Sequence, residues 1–343
     1  MSQSQTYLVT GGTGYIASYV ILDLLEQGNK VRTSIRSKSK ESQIRKSLVE
    51  SSGNGLTKEK VDENLEIFIA DLVNDEGWDG KFDGVDYVLH IASPLTNPYS
   101  QNLDDFVIPA TKGTKRVLEL AAKSPSIKRV TITSSFAAIG YGHPDDRKEP
   151  FTEEDWSVIS DKLRPYQVSK TLAEKVAWDF IKENEGKINF QITVINPNLV
   201  IGPTLKDYPA WSASVEIFKN VIDGTYLEKG LPRRSFSLVD VRDVAKIHIG
   251  SLHHPGAANE RFILNNGRPY SFLEIANIVR DLYKDTNPEL VAKIPTKEDL
   301  STPPDYPKTG SITKAKTTFQ CEPTPNEITI RDTVDNLIAL KKL

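Results

Sequence analysis

Short apolar runs alternate along this chain with longer stretches of helical periodicity, and glycine or polar clusters separate them. Tyr7-Leu8-Val9-Thr10 has the length of a buried strand, and a glycine-rich turn follows it. From Tyr19 to Gln27 apolar residues recur with the helical period and stop at Gly28. Val31, Thr33 and Ile35 then alternate with Arg32, Ser34 and Arg36, the pattern of a half-buried strand. Further strands are predicted at Leu65 to Ala70, Tyr87 to Ile91, Arg129 to Thr133 and Gln191 to Ile195, with helical stretches between several of them. Strands alternating with helices, and rich in apolar residues, predict an α/β fold on a doubly wound parallel sheet. Ligands of such sheets bind at the carboxyl ends of the strands.

The stretch from Gly202 to Arg234, rich in Pro, Tyr and Trp, breaks the rhythm. The chain returns to the sheet through Ser237 to Leu252 and Arg261 to Leu264. It leaves again by a Pro-rich stretch, Lys293 to Lys308, toward a final helix near Ile328 to Lys341. At 343 residues the chain is long for one core. The expected organisation is a Rossmann-type nucleotide-binding domain over 1–201 and 235–265, with a smaller, discontinuous substrate lobe over 202–234 and 266–343. Ser51 to Asn64, polar and holding Gly53 and Gly55, is predicted to be a surface loop.

Composition narrows the function classes. Charged residues make up 26% and hydrophobic ones 38%, and the net charge of −3 gives no electrostatic reason to expect nucleic acid or an anionic membrane as partner. No run of about 18 apolar residues occurs. Cys321 is the single cysteine, so no internal disulfide can form. Together with a start that lacks a charged and then apolar leader pattern, this leads us to expect a cytoplasmic protein. The five histidines do not cluster: His90 ends a strand and His253-His254 precedes Pro255, so no metal site is expected.

The candidate chemistry lies at strand ends. Gly11, Gly12, Thr13, Gly14, Tyr15 and Ile16 lead into Ala17, a G-x-x-G-x-x-A spacing between a strand and a helix. Small residues there permit a tight turn and bring a pyrophosphate close to the helix N-terminus. At the end of the second strand a carboxylate would bind the ribose of NAD, but no acid lies between Glu26 and Glu41. Arg36 and Lys40 stand there instead, which favours the 2′-phosphate of NADPH. Asp71-Leu72 ends the third strand, where it could meet the adenine. Further along, Tyr166 and Lys170 lie one helical turn apart on one face. A free phenol has a pKa near ~10, too high for an efficient proton shuttle at neutral pH. A unit charge ~4 Å away at an effective dielectric of ~20 is worth about 4 kcal/mol, enough to bring that value toward ~7. Ser134 and Ser135 close the fifth strand, where a hydroxyl could share a developing oxyanion.

In this order the motifs resemble those of the extended short-chain dehydrogenase/reductases, and nearly the whole chain shares the likeness. Within that superfamily the chain is similar to the dihydroflavonol reductase and cinnamoyl-CoA reductase group, above all to yeast-type NADPH-dependent aldehyde and ketone reductases of the methylglyoxal type. The strings that carry this are His90-Ile91-Ala92-Ser93-Pro94, Val107-Ile108-Pro109-Ala110 with Lys112-Gly113-Thr114, Thr133-Ser134-Ser135, and Lys170-Thr171-Leu172-Ala173-Glu174-Lys175 with Ala177-Trp178. Asn196-Pro197 through Gly202-Pro203 and Val239-Asp240-Val241-Arg242-Asp243-Val244-Ala245 complete them.

The resemblance implies Ser135 as catalytic serine, Tyr166 as proton donor, and Lys170 as tyrosine activator and ribose ligand. It also implies Arg36 with Lys40 as 2′-phosphate ligands, Ala92 at the cofactor, and Pro197 and Val200 along the nicotinamide. Phe136, Tyr208 and Trp211 are the candidates for the wall of the substrate pocket, Tyr208 and Trp211 reading equally as core of the lobe. Many extended members carry an Asn before the Gly-Thr of the fourth helix, where Pro109 and Ala110 stand here, a departure that counts against a sugar epimerase. The expected activity is NADPH-dependent reduction of small aldehydes or ketones by a monomer or homodimer. The alternatives are an NAD-dependent nucleotide-sugar epimerase and a non-catalytic NADP(H)-binding redox sensor.

Overall fold

The computed structural model describes residues 4–93, 100, 102–210 and 212–343. Seven parallel strands form the central sheet: β1 (Thr6–Val9), β2 (Lys30–Ile35), β3 (Leu65–Ile69), β4 (Tyr87–His90), β5 (Arg129–Thr133), β6 (Gln191–Pro197) and, after three short strands elsewhere, β10 (Glu260–Leu264). The short strands are β7 (Leu199–Ile201), β8 (Ser235–Phe236) and β9 (Leu238–Asp240). Across the sheet the order is β10-β6-β5-β4-β1-β2-β3, so the winding reverses between β1 and β4. A crevice for a ligand opens at such a reversal, outside the carboxyl ends of the strands.

Alternation along each strand divides the core. Tyr7 and Val9 of β1, with Tyr87 and Leu89 of β4, face a cluster under α1 (Tyr15–Glu26) and α2 (Glu41–Ser51). Leu8 and Val88 point the other way, toward α4 (Asp104–Ala122) and α5 (Pro165–Glu183), where Val117, Leu118, Ala177 and Phe180 are buried. The helix between these pairs in sequence, α3 (Lys58–Asn64), lies in the stretch read as a loop. Thr57 caps it by accepting from the Lys60 amide at 3.4 Å, Lys58 pairs with Asp62 at 2.7 Å, and Val61 is fully buried. One buried side chain is too little apolar periodicity to mark a helix in sequence.

A second core lies beyond the sheet's flanking helices. It gathers α6 (Ala213–Ile222), α7 (Val241–His253), the strand β11 (Tyr270–Ser271), α8 (Phe272–Tyr283), α9 (Pro288–Lys293), α10 (Thr313–Phe319) and α11 (Asn326–Ala339) around Phe218, Phe262, Phe272 and Ile275. Two small ribbons close it: β7 runs parallel to β9, and β8 runs antiparallel to β11. β8 and β9 therefore lie outside the main sheet, while α7 packs on α1 and β10 completes the sheet beside β6.

Candidate active site

The first βα turn packs closely against the neighbouring strands. Gly11 sits at φ +75°, and a Cβ there would lie 2.7 Å from that of Ala92, while one on Gly12 would lie 2.4 Å from Thr33 Oγ1. The turn is drawn onto the neighbouring strands instead: the Gly12 amide donates to the Ser34 carbonyl at 2.8 Å, and the Gly11 amide to Ser34 Oγ at 3.1 Å. α1 starts at Gly14 without a side-chain cap and without an acid in its first turn, so its N-terminal amides remain available to an anion. Ala92 faces this turn across the crevice, its amide donating to Thr10 Oγ1 at 3.1 Å.

At the end of β2 the arginines divide. Arg32 is held by Glu66 at 3.0 Å and by the Lys81 and Asp83 carbonyls. Arg36 and Lys40 are exposed and carry no ion pair among the described residues. The Asp71 carboxylate accepts from the Val73 amide at 3.1 Å, which makes it a turn former, and Leu72 is buried against Gly113. The uncapped helix N-terminus after the glycine turn and the exposed Arg36 and Lys40 suit a ligand that carries phosphates, whereas Asp71 and Leu72 are engaged in a turn and in the core.

Three side chains converge where β5 meets α5. Ser135 follows the last residues of β5 and accepts from the Ala137 amide at 3.1 Å, capping a short helical turn. Its side chain lies close enough to the Tyr166 phenol to act on its charge. Tyr166 stands in the first turn of α5, and Lys170 follows one turn later, 7% exposed, its Nζ donating to the Thr133 carbonyl at 3.3 Å. Burial raises the Tyr166 phenol above its ordinary value, against a smaller lowering by Ser135. The depression by Lys170 expected from sequence is absent, because the ammonium turns to the Thr133 carbonyl and the loss of solvent dominates. Burial also brings Lys170 down to about 8, with the Glu174 carboxylate opposing it. His90, fully desolvated and near that ammonium, is lowered to about 3 and is therefore neutral. Its ring lies 3.0 Å from Thr10 Oγ1 and 3.5 Å from Thr114 Oγ1, a role in packing. Among the described residues no group of three His, Cys, Asp or Glu could hold a metal.

Behind these residues lies a polar network that the motifs did not reveal. The Glu174 carboxylate accepts from Ser134 Oγ at 2.5 Å, Asn196 Nδ2 at 2.7 Å and Arg261 Nε at 2.5 Å, and its side chain is fully buried. Helical spacing was the available signal: Tyr166, Lys170 and Glu174 share one face of α5.

Two residues expected at the substrate sit elsewhere. Phe136 is 3% exposed in a small core with Ile139, Phe151 and Ile263, so it backs the site instead of facing open space. The Tyr208 hydroxyl donates to the Gly12 carbonyl, and the ring is buried in the core under α1 and α2. Proline and glycine at 202–203 turn the chain back over α1, where Tyr15 and Tyr19 donate to the Gly202 and Pro203 carbonyls at 2.7 and 3.0 Å. Trp211 lies outside the described residues. Pro197, at the end of β6, and Val200, in β7, are both buried, Val200 within the second core.

Known proteins match this chain over most of its length. It is 34% identical to the cinnamoyl-CoA reductase CAD2 of Medicago truncatula over 96% of this chain and 94% of that protein. It is 32% identical to a putative NADPH-dependent methylglyoxal reductase of Candida albicans, GRP2, over 87% and 89% of the two chains. Among solved structures, yeast methylglyoxal/isovaleraldehyde reductase Gre2 complexed with NADPH superposes with a TM-score of 0.82 at 26% identity, covering 99% of this chain and 100% of that one. The model of the NAD dependent epimerase/dehydratase family matches residues 7–267. With the glycine turn, Ser135, Tyr166 and Lys170 all inside that span, the chain belongs to this family, as an extended short-chain dehydrogenase/reductase.

Proposed function

We propose that this chain reduces aldehydes or ketones to alcohols with NADPH. The observation that carries the reading is the meeting of Ser135, Tyr166 and Lys170 at the carboxyl ends of the strands, in a crevice whose ribose end offers Arg36 and Lys40 and no acid. NADPH, when bound, supplies the hydride to the carbonyl carbon. Tyr166 and Ser135 then serve the carbonyl oxygen: both hydroxyls donate as negative charge builds there, and Tyr166 gives up its proton. A phenol held above its ordinary pKa is fully protonated at neutral pH, as a donor must be. Lys170, whose ammonium turns to the Thr133 carbonyl here, is the group that the family resemblance implies as tyrosine activator and ribose ligand. Pro197 and Val200 are expected along the nicotinamide.

The relatives named as NADPH-dependent reductases support this reading and do not support the epimerase alternative. A reducing, cytosolic setting suits the free thiol of Cys321, and no helix among the described residues is long and apolar enough to cross a membrane. The test is an NADPH-oxidation screen over aldehydes, diketones, β-ketoesters and flavonoid-like ketones. Turnover of at least one class is expected. Tight NADPH binding with no turnover of any class would favour a sensor, and copurifying NAD would favour an epimerase.

A further inference from the structure

A buried ion pair is a poor way to gain stability, since desolvation of both charges offsets their attraction. Glu174 and Arg261 form such a pair, with side chains 0% and 8% exposed and 2.5 Å between the charged atoms. Arg261 is fixed from behind. Its Nη1 donates to the Glu153 and Asp155 carbonyls, each at 2.7 Å, and its guanidinium lies 3.9 Å over the Trp156 ring. The carboxylate so held faces the catalytic residues. Ser134, adjacent to Ser135, donates to it, and Asn196 Nδ2 donates both to it and to the Ser135 carbonyl at 3.1 Å. Glu174 thus ties α5, the end of β5 and the end of β6 together at the serine. Lys170, Glu174, Ser134, Thr133 and His90 all line one cavity of about 20 Å³.

Resting on the reductase reading, we propose that Glu174, backed by Arg261, is the positioning residue of the Ser135, Tyr166 and Lys170 centre. Its carboxylate fixes the Ser134-Ser135 turn, and its negative charge sits one helical turn from the Lys170 ammonium. The charged and titratable groups around that ammonium are few: Tyr166 and Glu174 on its own helix, His90 from β4, neutral by burial, and Arg261 of β10 behind Glu174. α4 adds only Ala110 and Thr114 to the cavity wall. Glu174 is the one anion among these, so removing its charge leaves burial unopposed and lets Lys170 lose its proton at lower pH.

The test compares Glu174→Gln and Ser134→Ala with the unmutated protein by kcat, KM for NADPH, the pH profile of kcat, and NMR titration of 15N-labelled lysine. Unmutated turnover checks the reductase reading by itself, and the ratios of variant to unmutated protein check this one. Glu174→Gln is expected to lower kcat about 10- to 100-fold through misplacement of the serine, with KM for NADPH within about threefold. The alkaline fall of kcat and the Lys170 titration should both move to lower pH. Ser134→Ala, which keeps the ion pair, is expected to lower kcat by a smaller factor without moving either midpoint. A folded Glu174→Gln with kcat within twofold, or with an unmoved Lys170 titration, would overturn the proposal. If Glu174→Gln does not fold, Ser134→Ala decides: kcat within twofold of the unmutated protein overturns it, and a clear loss at unchanged NADPH KM upholds it.

Discussion

Loss of solvent acts in opposite senses on the two groups that handle the proton. It holds Tyr166 protonated and brings Lys170 down to about 8, so the donor is loaded at neutral pH while its cation stands near the edge of its range. Tyr166→Phe is expected to cost ~10²-fold or more in kcat, with the NADPH dissociation constant within about threefold, because the proton is needed only as charge develops. Steady-state kinetics and a fluorescence titration of NADPH check both halves. Lys170→Ala should damage turnover and cofactor binding together. For the pH dependence, reduction needs the ammonium, so kcat should fall as pH rises through about 8. The linkage to stability has a definite sign. The folded value lies below the ordinary 10.5, so the unfolded chain binds more protons between about 8 and 10.5, and this residue's contribution to stability rises with pH across that window. A flat kcat profile to pH 10 would contradict the assignment.

Among the elements, those with strong periodicity were legible and those held by a few polar contacts were not. All seven strands of the main sheet lie where the apolar runs predicted them, and the final helix begins two residues before its expected start. α3 escaped because a cap, an ion pair and a single buried valine hold it. The glycine turn and the Tyr166 and Lys170 pair were legible because fixed spacings express them. The places of Phe136 and Tyr208 were not, because an aromatic residue near a cleft reads the same whether it faces the cleft or a core. Tyr208 belongs to a segment that straps the cofactor turn: Gln43 and Ser47 of α2 donate to the Asp207 and Lys206 carbonyls at 2.7 and 2.5 Å, and Tyr208 itself donates to Gly12. Tyr208→Phe should therefore lower stability by about 1 kcal/mol in urea unfolding, the net worth of one hydrogen bond, with little change in the ranking of carbonyl substrates. Gly12→Ala should do more. Its Cβ would meet Thr33 Oγ1, which already donates to the Val9 carbonyl at 2.8 Å, so a loss of about 1 to 3 kcal/mol and weakened NADPH binding are expected.

Across the whole molecule, one sheet carries both halves of the reaction. Its winding reverses between β1 and β4, so the glycine turn and the basic end of β2 lie on one side of the crevice, and Ser135, Tyr166 and Lys170 lie on the other. The lobe grows from the far end, through β7 to β9 and the helices around Phe218 and Phe262, and sends its 202–210 segment back over the cofactor turn. Sequence fixes the sheet well because strand alternation and helical periodicity act locally, whereas the lobe depends on contacts between segments far apart in the chain. The most direct test of the account is the ratio of kcat/KM for NADPH over NADH, measured with the best carbonyl substrate of the screen, in the unmutated protein and in Arg36→Glu. Charge-assisted contacts to the 2′-phosphate are worth about 1.5 to 3 kcal/mol, so a ratio of about 10 to 100 is predicted, falling toward or below one in Arg36→Glu. Equal kcat/KM for the two cofactors in the unmutated protein would contradict it.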